Sequence, residues 1–394
     1  MKKTVVLLLV VLMSLGAFFG CSSTPAPTAT AAPAATQAPA ASAAPAATEA
    51  AKPAGALDVG IVLPTKDEPR WLQDEARFRD VIGQTSYTVD VLFSQGSSAT
   101  EKTNVETLIS KGIKVLIICP QDATAAAATV EEAKAAGVTV ISYDRLITQT
   151  DKVDYYVTFD SVAVGEAMGQ FLVDNAGTNK NNPLYLYAGA ATDNNAFLFF
   201  QGAWNKLQPK IADGTFVIKN SSEAVNLQSK AELTRDEQAK IIGQVTTDWD
   251  FNTAKSKAES HLTAVTKADK GDCFILAPND GTARAIADVF AADKDVTKYY
   301  ITGQDAEVAS VQYVIDGKQS MTVFKDTRTL AKDAMDMAIA VIEGKTPETG
   351  ATYNNGVKDV AAKQTPVVVV TKDNVKSALI DSGYYTADKF TGLN

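Results

Sequence analysis

The sequence predicts an α/β protein made of two doubly wound parallel-sheet lobes. Three observations carry that expectation. From Leu57 onward, short apolar runs alternate with longer amphipathic stretches. About eleven such runs fit into roughly 335 residues, more than one doubly wound sheet holds. Polar residues also gather just after the apolar runs, at what would be the carboxyl edge of each sheet. Strand–helix alternation gives parallel strands because each parallel crossover needs a helix-length connection, and helices then cover both faces.

The predicted strands are 59–63, 88–92, 115–118, 138–142, 155–159, 184–187, 216–218, 274–276, 300–302, 321–324 and 367–370. Predicted helices between them include 103–111, 124–136, 162–175, 196–207, 253–266, 282–292, 308–315 and 330–343. Hydrophobic residues make up 46% and charged residues 21% of the chain, which suits a soluble globular body. The net charge of −9 argues against nucleic acid or an anionic membrane surface as a main partner.

Residues 1–20 read as an export signal: Lys2 and Lys3 form a positive end, and Thr4 to Phe19 form an apolar run too short for a comfortable membrane span. The run ends in Gly20-Cys21-Ser22-Ser23, which resembles the lipobox of bacterial lipoproteins. That resemblance implies acylation of Cys21, which becomes the new N-terminus. Phe18 and Phe19 depart from the usual aliphatic and small residues, and ordinary cleavage beside an incidental Cys is the alternative. Residues 21–56 are dominated by Ala, Pro, Thr and Ser and have no periodic apolar face; they read as a disordered tether. A folded body follows.

Cys119 and Cys273 lie in apolar runs and read as buried free thiols. The single histidine, His261, falls on a probable helix and reads as a surface or boundary residue. One His and two scattered Cys leave no zinc site and no usual base for a Ser or Cys hydrolase. No cofactor and no metal are expected.

The residues after the predicted strands form a distinctive set. They are Lys66, Arg70 and Trp71; Asp144 and Arg145; Asp193, Asn194 and Asn195; Asn279 and Asp280; Gln304 and Asp305; and Lys325. Carboxylates accept hydrogen bonds, Arg and Lys donate them, and Asn does both. A ligand that needs all three carries many hydroxyls. Trp249, in the polar run Thr247-Asp248-Trp249-Asp250, and Trp71 could cover the C–H face of a sugar ring. Trp204, within an apolar run, reads as core. Blander readings stand beside these: Asp144-Arg145 as a solvated pair, Asn194 as a helix cap, and Gly303-Gln304-Asp305 as a turn, with Asp305 capping the helix at 308–315. Several carboxylates converging on one site would repel one another, so Asp305 is expected to serve binding more than folding.

Six runs resemble, in order and spacing, those of bacterial xylose-binding and multiple-monosaccharide-binding periplasmic proteins. They are Glu68-Pro69-Arg70-Trp71, Tyr143-Asp144-Arg145, Asp193-Asn194-Asn195-Ala196, Asn279-Asp280, Thr302-Gly303-Gln304-Asp305-Ala306 and Met321-Thr322-Val323-Phe324-Lys325. The likeness covers about residues 57–390. It implies a type I periplasmic binding protein fold, with two lobes joined by a three-segment hinge that has crossings near Phe159 and Phe324. Lobe one would take 57–160 and 324–350, and lobe two 161–323 and 351–394.

By position, the resemblance implies ligand contacts from Arg70, Trp71, Asp144, Arg145, Asp193, Asn195, Trp249, Asn279, Asp305 and Lys325, with the two indoles sandwiching a monosaccharide. Gln304 and Asn194 would support rather than touch. The implied partners are a membrane permease of an ABC transporter with its ATPase, and a chemosensory or sensor-kinase receptor. The implied place is outside the cytoplasm, lipid-anchored to the cell membrane. Three other readings remain at this point: a glycoside-acting enzyme using a carboxylate pair, a repressor built on the same sensor, and a receptor serving signalling more than uptake.

Overall fold

The computed structural model describes residues 56–393; the export signal, Cys21 and the tether as far as residue 55 lie outside the described residues. The described chain begins with β1 (Val59–Leu63), α1 (Pro69–Ile82), β2 (Val89–Phe93), α2 (Ser98–Ser110) and β3 (Val115–Ile118). Next come α3 (Ala126–Ala135), β4 (Thr139–Tyr143), β5 (Tyr155–Phe159), α4 (Ser161–Ala176), β6 (Asn182–Leu186) and α5 (Asn194–Ala212). Then follow β7 (Phe216–Ile218), α6 (Ser222–Leu227), α7 (Arg235–Val245), α8 (Phe251–Ala264), β8 (Gly271–Leu276) and α9 (Asp280–Ala292). The last are β9 (Val296–Ile301), α10 (Val308–Asp316), β10 (Thr322–Phe324), α11 (Thr327–Ile342), β11 (Ala351–Asn354), β12 (Asp359–Thr365) and β13 (Val368–Val370).

Two parallel sheets result. The first runs β11-β12-β5-β4-β3-β1-β2, parallel except for the β11–β12 hairpin. The second runs β7-β6-β8-β9, and β10 pairs antiparallel with β13. Strand β1 is buried at every position, and so are β3 and β6. That is why these segments read as apolar runs: both faces are covered by helices. In each sheet the strand order reverses once, between β1 and β3 and between β6 and β8. Ligands of open α/β sheets bind beside such reversals, outside the carboxyl ends.

The chain passes to the second sheet's elements after β5 and returns after β10 into α11. Leu330, Ala334 and Met335 of α11 join the first sheet's core. It leaves again after β12. The structure corrects one boundary: residues 351–365, expected in lobe two, extend the first sheet, where β12 pairs parallel with β5. Sequence reading gave no strand there because the hairpin is an edge. Its burial alternates or is partial, so no continuous apolar run marks it. Cys119 and Cys273 are free and buried, and Trp204 is core, stacked on Phe200. His261 sits half-buried against Tyr187.

Candidate functional site

The site starts with α1. Pro69 occupies its first turn, where a fixed φ and a missing N–H suit a helix start. Arg70 and Trp71 therefore sit in the first turn, at the carboxyl edge of the first sheet. The Arg70 guanidinium spreads over three carboxylates: its Nε lies 2.5 Å from Asp74, one Nη 2.8 Å from Asp144, and the other 3.2 Å from Asp305. Asp74, one helical turn after Arg70, also accepts from the Tyr143 hydroxyl. Arg145 reaches across to Asp193 at 2.9 Å, and Lys325 to Asp305 at 2.8 Å. The Asn195 amide donates to the Asp144 carbonyl at 2.9 Å.

Asp144 and Arg145 follow β4 of the first sheet. Asp193 and Asn195 open α5 of the second. These bonds therefore join the carboxyl edges of the two sheets. The remaining predicted residues come to the same place: Asn279 caps α9, Trp249 sits in the loop before α8, and Lys325 follows β10. All ten line one cavity of about 290 Å³, with Glu68, Phe199 and Gln304. A wider groove of about 850 Å³ lies by Lys255, Glu259 and Asp288, but it is a surface groove without convergent buried polar groups.

Electrostatics follow from burial and pairing. Burial pushes the Asp144 carboxyl up, but Arg70, Lys325 and Arg145 outweigh it and hold Asp144 below the ordinary range. Burial works against charge on Arg70, yet Asp74, Asp144 and Asp305 keep it firmly protonated. For Asp193 and Glu68 burial wins over Arg145, and both carboxyls are raised. The carboxylates do not simply repel one another, as the sequence suggested: Asp305 stands between Arg70 and Lys325. Nor does Asp305 cap α10, whose N-cap position is Glu307. Asn194 is not a cap either; Asp193 fills that role for α5, and Asn194 accepts from Arg235.

The Gln304 Oε1 and the Trp249 Nε1 are among the buried polar atoms here that lack partners. Backbone strain collects at the same place: Asp144, Asp248, Trp249, Asp305 and Ala306 all have positive φ. Such strain clusters where a structure fixes ligand-facing groups. With cations and carboxylates nearly matched, the cavity suits a small neutral molecule rich in hydroxyls.

A family model described as a periplasmic binding protein domain matches residues 59–346. The chain belongs to the periplasmic binding protein family. Within it, the chain falls among the multiple-sugar-binding and xylose-binding solute-binding proteins. This binding protein is 72% identical to a carbohydrate transporter solute binding protein from Chloroflexus aurantiacus, solved in complex with D-glucose. The match covers 86% of this chain and 99% of that one, with a TM-score of 0.85. It is 35% identical over 349 residues to the multiple sugar-binding periplasmic receptor of Rhizobium radiobacter, covering 86% of this chain and 94% of the relative. An ABC transporter solute binding protein from Clostridium phytofermentans, with bound β-D-glucose, is 33% identical. It covers 85% and 99% of the two chains, at a TM-score of 0.75. The family is one of solute-binding receptors, not enzymes, which removes the glycosidase reading.

Sequence reasoning missed Glu68, Asp74 and Phe199. Glu68 opens the run Glu68-Pro69-Arg70-Trp71, but nothing in that run alone marks it for the cavity. Asp74 is four residues from Arg70, a spacing that carries meaning only once α1 is recognised. Phe199 lay inside an apolar run that read wholly as core.

Proposed function

We propose that this binding protein is the monosaccharide receptor of an ABC importer, closing two lobes on a pyranose such as glucose, xylose or galactose. The observation that carries the reading is the convergence of Arg70, Asp144 and Arg145 with Asp193, Asn195 and Asp305 from the opposite sheet around one small cavity. Trp71 and Trp249 cover the two faces of the ring, and the charged and amide groups take its hydroxyls. Lobe one comprises 57–160 and 324–365; lobe two comprises 161–323 and 366–394.

Residues 1–20 are the export signal, Cys21 carries the lipid, and the tether spans the distance to the folded body. The partners are the membrane permease of an ABC transporter and its ATPase. The relatives solved with D-glucose, and the relative named for several sugars, support this reading. Calorimetric titration with D-glucose, D-xylose, D-galactose and L-arabinose tests it. At least one should bind at micromolar Kd or tighter, and failure of all four would overturn it. Fractionation of cells producing Cys21→Ser tests the anchor: the variant should leave the membrane fraction.

A further inference from the structure

The turn at 303–306 presents Asp305 to the cavity in a conformation that non-glycine residues seldom adopt. Asp305 has φ 101° and Ala306 φ 51°. A conformation of this kind persists only where the surroundings over-determine it. Thr322 and Tyr385 brace its far end: Ala306 N–H donates to the Thr322 hydroxyl at 3.1 Å, and the Tyr385 hydroxyl donates to the Ala306 carbonyl at 2.8 Å.

Asp280, the first residue of α9, grips both ends. Its N–H donates to the Gln304 carbonyl at 3.0 Å. One carboxylate oxygen accepts from the Glu307 N–H at 2.9 Å, and the other from the Gln319 amide at 2.7 Å. The Gln319 amide also donates to the Met321 carbonyl at 3.0 Å, tying the grip to the segment that leads into β10. The fit is tight: a Cβ on Gly303 would stand 2.4 Å from both Asp280 Oδ1 and Gln319 Nε2.

The fold gains little from a carboxylate here. Asp280 is fully buried, and among the described residues no Lys or Arg forms an ion pair with it. Its charged neighbours Glu307 and Asp305 are of like sign, and burial and both of them raise its carboxyl well above the usual range. Arg284, the nearest cation on α9, is engaged with Glu307 and Ser310. A buried carboxyl without a cation is costly to fold, so the role of Asp280 is sought in what it holds.

We propose that Asp280 is a positioning residue for sugar recognition: with Gln319 it clasps the strained turn at 303–306 and so aims Asp305 into the cavity. The proposal rests on reading that cavity as the sugar site. It goes beyond that reading by assigning a role to a residue that does not line the cavity.

A double-mutant cycle with D-glucose as the probe tests it, in calorimetry on wild type, Asp280→Ala, Asp305→Ala and the double variant. Asp280→Ala alone should weaken binding by about 20-fold or more. In the Asp305→Ala background it should cost less than about threefold, because a residue that works through Asp305 has nothing left to aim. Asp280→Asn, which can still accept from Glu307 N–H, should fall between wild type and Asp280→Ala. The sugar-free melting temperature of Asp280→Ala should stay level or rise, a result that a merely structural residue would not give. If Asp280→Ala does not fold, Gln319→Ala carries the same cycle. Losses that add in full, or wild-type Kd in Asp280→Ala, would overturn the positioning role. If wild type itself ignored D-glucose and every other monosaccharide, the reading of the site would fall instead.

Discussion

The Arg70 guanidinium and the Asp305 carboxylate lie 3.2 Å apart, although 235 residues of chain separate them and they stand at the edges of different sheets. Both side chains are almost fully buried. The same Arg70 is anchored behind by Asp74 and beside by Asp144, so it is a fixed fork that reaches from the edge of one sheet to that of the other. If the two lobes close on the sugar as proposed, a group held on one side and shared across the cleft would give the closed form contacts that an open form lacks.

Arg70→Lys should therefore damage more than its retained charge suggests. A Lys ammonium cannot serve three carboxylates in fixed directions. Asp74, fully buried, would keep the Tyr143 hydroxyl but lose its bidentate partner. The expected cost is about 3–5 kcal/mol of stability, as for breaking a buried pair. Sugar affinity should fall by about 100-fold or more. Denaturant melts and calorimetry on the variant check both; wild-type affinity would remove Arg70 from the site.

Glu101 gives a pH-dependent expectation away from the sugar. It sits in the first turn of α2, fully buried, and accepts from the Gln121 N–H at 2.7 Å. Burial pushes its carboxyl from an ordinary value near 4.5 up to about 7, against the pull of the Gln121 bond and Arg145. Above pH 4.5 the unfolded chain releases this proton while the folded chain keeps it, so stability falls as pH rises towards 7. The loss is about 3 kcal/mol, complete once pH exceeds the folded value. Glu101→Gln keeps an acceptor for Gln121 and carries no charge. It should match wild type near pH 4 and be more stable by about that amount at pH 8. Melts of both proteins across this range decide; a constant difference would contradict the assignment.

Strain and recognition separate at Asp305. Asp305→Ala and Asp305→Gly remove the same carboxylate, so each should lose about 2–4 kcal/mol of sugar binding, on the order of 30- to 1000-fold. They differ in backbone freedom. At φ 101° an alanine keeps the strain and a glycine releases it. Sugar-free Asp305→Gly should therefore melt above Asp305→Ala, by an amount equivalent to about 1 kcal/mol. Equal melting points would show that the turn is not strained by its side chain.

What the sequence revealed, and what it hid, follows from burial. Strands β1, β3, β5 and β7 were legible to the residue; β1 and β3, buried at every position, read as unbroken apolar runs, and β5 and β7 are largely apolar and mostly buried. The ten candidate residues come together because parallel strands deliver their following residues to one edge. The β11–β12 hairpin was hidden because an edge pair needs only one covered face. Helices α1, α6 and α7 were not foreseen; α6 has six residues, and α7 is marked chiefly by its Thr234–Glu237 capping box. The pairing of Asp305 with Arg70 was beyond sequence reading, since it depends on how two sheets face each other.

Gly189 offers the sharpest test of the Trp249 indole. A Cβ at position 189 would stand 2.0 Å from Trp249 Cζ2 and 2.1 Å from Cη2, so the ring lies flat against the glycine backbone. The indole has little room to yield. Its own backbone is held at φ 61° after Asp248 at φ 53°, and Phe199 packs edge-on against it with ring centroids 6.3 Å apart. In Gly189→Ala the ring must move by more than an ångström, and it borders both the cavity and the wider groove beside Asp248 and Phe251. The expected cost is about 1–3 kcal/mol of stability from overpacking. Sugar affinity should drop about 10- to 100-fold because the displaced ring no longer presents its face to the cavity as before. Adding Trp249→Leu to Gly189→Ala should restore the melting temperature by removing the clash. It should leave affinity low, because the stacking surface is gone. Wild-type affinity in Gly189→Ala alone would mean that the indole does not border the bound sugar.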